Sequence, residues 1–150
     1  MATQISGKAQ LRNSYGIKVE RIAAVLPATA AQTIFTVTGG RVILTTLVGE
    51  VTTVCSATVT NLKIDAVGTV STVVTPLAVN TLVTSLAVGN EFAFSALGAV
   101  ATVGSAVTQN NETIIPPGII RITTDATNTG AMKWLLTYVP LDDGASIAAS

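Results

Sequence analysis

Of the 150 residues, 24 are Thr, 19 Val and 12 Ile, so 55 carry a branched Cβ. Such side chains are stiff at χ1 and crowd a helical turn, whereas a pleated strand accommodates them. The chain is therefore expected to build its fold from strands. Hydrophobic residues reach 49%. A chain of this length buries roughly 68–70% of its unfolded surface, so one domain can hold together without disulfide or metal.

Turn signals divide the chain. Residues 33–38, then Gly39-Gly40, then 41–48 have the form of a hairpin, with two glycines supplying the positive φ values of a type I′ turn. Gly-x-Val-x-Thr-Val occurs three times, starting at Gly49, Gly68 and Gly98. Each copy is expected to be a turn glycine followed by a strand, and the unequal spacing excludes a solenoid. Short strands are expected over 62–66 and 81–88. Residues 91–95 alternate and set Phe92 and Phe94 on one face. Residues 119–124 oppose Ile120 and Ile122 to Arg121, and 132–139 align Trp134, Leu136 and Tyr138. Residues 17–26 fit helical spacing and also begin an alternation; the surrounding strands favour a strand.

The resulting expectation is an all-β domain over residues 17–140. It has about seven to nine antiparallel strands, arranged as a β-sandwich, a jelly-roll-like fold or a small barrel. Residues 1–16 form an extended N-terminal arm, and 141–150 a tail of small residues.

Absences narrow the chemistry. There is no histidine, which removes Ser-His-Asp and Cys-His nucleophiles and His-ligated zinc. Cys55 is the sole cysteine, so no intrachain disulfide or CxxC site exists. It lies in Val51-Thr-Thr-Val-Cys-Ser-Ala-Thr-Val59, which reads as a strand, and a buried thiol is expected there. Asp142-Asp143 is the only adjacent acidic pair, and it lacks the ligand spacing of a calcium loop. The six aromatics fall mostly on core faces, leaving few platforms for a sugar. These features point to a protein that is not an enzyme and needs no cofactor or metal.

Charge is scarce and uneven. Eight basic and eight acidic residues cancel. Lys8, Arg12, Lys18 and Arg21 against Glu20 give residues 1–21 a charge of +3, leaving −3 on the rest. Four spaced cations fall short of a nucleic-acid patch. Three uncharged stretches, 22–40, 66–90 and 92–111, are interrupted by polar residues, so none forms a membrane span. The N-terminus lacks the apolar region of a signal peptide, and synthesis in a cytoplasm without export is expected. So little charge suits a surface buried against permanent neighbours. Two readings of the arm stand: a solvated tail, or a segment docking on an acidic neighbour through Lys8, Arg12, Tyr15, Lys18 and Arg21.

Two regions carry a resemblance. Pro116-Pro-Gly-Ile-Ile-Arg-Ile-Thr124 is followed by Asn128-Thr-Gly-Ala-Met-Lys-Trp-Leu-Leu-Thr-Tyr-Val-Pro-Leu-Asp-Asp-Gly144. Phe35-Thr-Val-Thr-Gly-Gly-Arg-Val-Ile-Leu44 continues into Gly49-Glu-Val-Thr-Thr53. Both resemble small virion structural proteins of tailed bacteriophages. The resemblance implies a capsid decoration (cement) protein: β-rich, homotrimeric, and seated on the outside of the head where major capsid subunits meet. It lends no catalytic residues. A tail or fibre component, or a carbohydrate-binding adhesive β-module, are the alternatives.

Overall fold

Alternation decides which side of each strand is buried. In the strand 131–140, Met132, Trp134, Leu136 and Tyr138 are buried while Lys133, Leu135 and Thr137 face outward. In 118–124, Ile120 and Ile122 are buried with Arg121 between them on the other face. The half-buried antiparallel strand produces this period of two.

The computed structural model describes residues 16–70, 74–93, 99–100, 102–104 and 112–150. Among these residues there are twelve strands and no helix. They are β1 (Ile17–Val25), β2 (Ala31–Thr38), β3 (Val42–Thr53), β4 (Asn61–Gly68), β5 (Val74–Leu82) and β6 (Glu91–Ala93). Then follow β7 (Ala99–Val100), β8 (Thr102–Gly104), β9 (Thr113–Ile115), β10 (Gly118–Thr124), β11 (Ala131–Pro140) and β12 (Ser146–Ala149).

Two six-stranded sheets result. The first runs β1-β11-β3-β6-β8, with β9 also pairing β3; the second runs β12-β2-β10-β4-β5-β7. Pairing is antiparallel except for the short β5–β7 contact. One core joins the sheets, with Trp134, Leu44, Leu47 and Phe92 from the first and Phe35, Ile64, Leu77 and Ile120 from the second. The Phe92 and Trp134 rings meet edge to face at 5.9 Å and 74°, an arrangement favoured by the ring quadrupoles. β1 and β12 are edge strands, and Arg21 of β1 ties them by donating from Nε to the Ser150 main-chain oxygen at 2.6 Å.

Several expectations are corrected. The sheets stay open, so the fold is not a closed barrel, and the described strands outnumber the seven to nine expected. Residues 33–48 are not a hairpin. β2 pairs β10 and β12, while β3 pairs β11, β6 and β9, so Gly39-Gly40 carries the chain from one sheet to the other. The positive φ is real, 76° at Gly39. It serves a crossover in which a Cβ at Gly39 would lie 2.8 Å from the Gly144 carbonyl carbon.

Gly49 is not a turn residue either. It lies inside β3 under the Trp134 ring, where a Cβ would stand 2.7 Å from Cζ3. Gly68 ends β4, and Gly98 lies outside the described residues, as does Phe94. The strand expected over 81–88 is instead the end of β5 followed by turns. Residues 17–25 are a strand. Within 141–150, Ser146–Ala149 form β12 on the edge of the second sheet.

Candidate interaction surfaces

Of the expected contact residues, Lys8, Arg12 and Tyr15 lie outside the described residues. Lys18 is exposed, with Nζ 2.7 Å from Glu20 on the same strand. Arg21 turns inward to the bond with Ser150, and burial lowers its pKa from the ordinary guanidinium value. Its guanidinium serves the chain's own edge.

A surface that the sequence reading missed lies at one end of the stacked sheets. Loops 26–30, 54–60, 83–90 and 125–130 meet there. Main-chain bonds lace the second to the third: Cys55 N donates to Leu86 O, Ser85 N to Ser56 O, and Val83 N to Thr60 O, at 2.9–3.0 Å. Asn128 is buried between them. Its Oδ1 accepts from Ser56 N at 3.0 Å and Gly130 N at 2.9 Å, while Nδ2 donates to Thr60 Oγ1 at 3.2 Å. Leu26 N donates to Gly130 O, which draws in the first loop.

Asp125 is the sole charged residue in these four loops. Its carboxylate accepts from Asn61 Nδ2 and Asn61 N, both at 2.7 Å. These bonds hold its pKa below the usual carboxylate value. Around it Val25, Val54, Val59, Leu82 and Val88 are exposed. Thr29 and Ser85, the two non-glycine residues with positive φ among the described residues, also sit here at 56° and 55°. Such backbone costs of order 1–3 kcal/mol per residue and collects at functional surfaces. This end exposes several apolar side chains, carries the Asp125 carboxylate as its one charge, and is held in shape by its own hydrogen bonds.

Comparison with protein-family models, curated proteins and solved structures finds no match for this chain.

A second surface is a groove on the outer face of the first sheet, with a volume of about 590 Å³. Register aligns Glu20, Leu135, Val48 and Ala93 across β1, β11, β3 and β6, with Lys133, Glu50 and Glu91 in the adjoining row. Lys133 Nζ reaches Glu50 at 2.7 Å.

Other chemistry resolves into structural roles. Phe35, Phe92, Trp134 and Tyr138 are all buried, so no described aromatic offers a sugar-stacking platform. Cys55 is buried, but in the loop after β3, which ends at Thr53 short of the strand expected over 51–59; its thiol pKa is pushed up by desolvation, opposite to what a nucleophile needs. Asp65 is buried on the outer face of the second sheet, 3.7 Å from Lys63 and 3.6 Å from Arg121. No group of three or more potential metal-ligating His, Cys, Asp or Glu residues occurs among the described residues.

Asp142, one of the adjacent acidic pair, is occupied by Arg41. It accepts from Arg41 N at 2.7 Å, Nε at 2.9 Å and Nη2 at 2.8 Å. These bonds pull its pKa from 3.8 down to about 2. A depressed carboxylate stabilises the fold fully above 3.8 and loses that contribution as pH falls toward 2. The pair is exposed, so its effect is small. Thermal unfolding of wild type and Asp142→Asn should differ slightly near neutrality and converge at the acid end. A gap that persists there would assign the loss to something other than charge.

Proposed function

We propose that this protein is a non-enzymatic virion structural protein of a tailed phage. Its role is that of a capsid decoration protein, which binds the outside of the head as a homotrimer and bridges major capsid subunits. The fold fits a jelly-roll-like β-sandwich, because β1 to β4 and β9 to β12 alternate between the two sheets. The observation that carries the reading is the end built by the four loops, where Asp125 is the sole charged residue. A subunit bound there desolvates Val25, Val54, Val59, Leu82 and Val88, and the one charge it meets, the Asp125 carboxylate, already accepts two hydrogen bonds from Asn61. Apolar burial contributes about 25 cal/mol per Å². Repetition of one site around a trimer and over a lattice raises retention through multivalency. The resemblance in 35–53 and 116–144 supplies the biological setting.

Three measurements test this. Light scattering should report a species near three times 15.2 kDa. Co-sedimentation with undecorated heads of the phage that carries the gene should survive high salt, since apolar contact is not screened. Val59→Asp with Leu82→Asp should weaken it at least about tenfold by burying unpaired charge. Binding that collapses with salt and ignores these substitutions would move the contact to Lys8 and Arg12. Copy number in purified virions separates head from tail: a handful per particle would favour the tail or fibre reading.

A further inference from the structure

Among the described residues, the strands of the second sheet carry only three charges, Lys63, Asp65 and Arg121, and all three share its outer face. Arg121 stands directly opposite Asp65 across β10 and β4, with Lys63 two positions along β4 and Pro76 opposite Asp65 on β5. Asp65 is 3% exposed, yet its Oδ2 and the Arg121 Nε are both buried without a hydrogen-bond partner. Arg121 Nε at 3.6 Å and Lys63 Nζ at 3.7 Å neutralise that oxygen from beyond hydrogen-bond distance. One carboxylate thus holds two cations side by side against their mutual repulsion, and the cluster keeps a charge of +1. The Lys63 and Arg121 side chains remain 44% and 28% exposed. Ile119, Thr123, Val67 and Val74 surround them without charge. A depression of about 360 Å³ opens beside Lys63, over Pro76, Val79 and Asn80.

We propose that this face is a contact between copies of the chain, in which a carboxylate of a second copy bridges Lys63 and Arg121; the inference rests on the homotrimer reading and deepens it. Both cations lie within 3.7 Å of one oxygen, so a single incoming carboxylate can meet the pair. The chain is neutral overall, and the surplus cation here is therefore matched by a surplus carboxylate elsewhere on every copy. A two-fold contact of this face with itself would set Lys63 and Arg121 against their own copies, which like charge opposes. A cyclic contact sets it against a different face of the next copy, and a trimer is the smallest closed ring of that kind. Rotation about an axis along the strands leaves the four-loop ends of all copies pointing the same way, where one partner surface meets them together.

Lys63 is exposed enough to be replaced without disturbing the core, and its amine reports its own partner. A carbodiimide activates a carboxylate, which the amine in contact with it then attacks to form an amide, releasing a urea. On the full chain at micromolar concentration this should join copies through Lys63, and peptide mapping identifies the acidic residue. A Lys63–Asp65 amide stays within one chain and is told apart by mass. Lys63→Arg keeps the charge and should leave the trimer intact while the link disappears. Lys63→Glu should weaken assembly at least about tenfold by sedimentation velocity, with an unchanged circular dichroism spectrum, and Lys63→Gln should fall between it and wild type. A trimer indifferent to both Lys63→Glu and Lys63→Gln, or joined only through other amines, would overturn the proposal and leave the homotrimer reading standing. A wild-type monomer would overturn both.

Discussion

Truncating Trp134 to alanine should cost about 3–5 kcal/mol, the usual penalty for emptying a fully buried aromatic site. For a domain of this size that lowers Tm by roughly 10 °C. The indole is 1% exposed, meets Phe92 edge-on, and lies over the one position of β3 that lacks a side chain. The same geometry makes Gly49→Ala costly by about 1–3 kcal/mol, because a methyl group there would stand 2.7–3.0 Å from three ring carbons. The ring is held by the core and cannot move aside. Trp134→Leu opens that space, so Gly49→Ala should become nearly neutral in its background. Urea unfolding of the four proteins should reveal a coupling of about 1 kcal/mol or more. Additive losses would show that the ring and Gly49 do not constrain each other.

Asn128→Ala should cost roughly 2–4 kcal/mol although it removes little apolar surface. The side chain supplies the acceptor for two main-chain donors, Ser56 N and Gly130 N, and an unsatisfied buried donor costs about 1–3 kcal/mol. Asn128→Asp keeps an acceptor but turns a second oxygen toward Thr60 Oγ1, whose hydroxyl already donates to Thr58 O. It should recover only part of the loss. Amide hydrogen exchange localises the effect: Ser56 and Gly130 should lose protection first, with β10 and β11 last. Unchanged protection at those two amides would reject the clamp.

The inward faces of β10 and β11 were legible in the sequence, because a strand with one wet side writes its burial as alternation. Pairing was not legible. A Gly-Gly step announces a reversal, yet the same positive φ serves a hairpin within one sheet or a crossing between two. The difference lies in Gly144, about a hundred positions away. Gly49 was hidden for a related reason: a glycine excluded by an aromatic ring looks like a glycine required by a turn. Asn128 sat in a segment recognised as a loop, but one of its two donors, Ser56 N, lies on a loop 72 residues earlier. The groove carboxylates come from β1, β3 and β6, so only folding brings Glu20, Glu50 and Glu91 together. The apolar end had a fainter signal, in the near absence of charge from the four loops that build it.

The strand order has a consequence for how the chain is made. β10 lies between β2 and β4, and β11 lies between β1 and β3. During synthesis the outer members of both trios emerge first and wait, with those edges unpaired, until the last quarter of the chain arrives. Among the described residues, β4 and β5 form the only hairpin of neighbouring long strands available before then. Such dependence on distant partners slows folding and prolongs exposure of strand edges. A nascent chain halted before Gly118 holds most of the residues of the fold but lacks the strands that join them, which makes β10 and β11 the step on which solubility during translation turns.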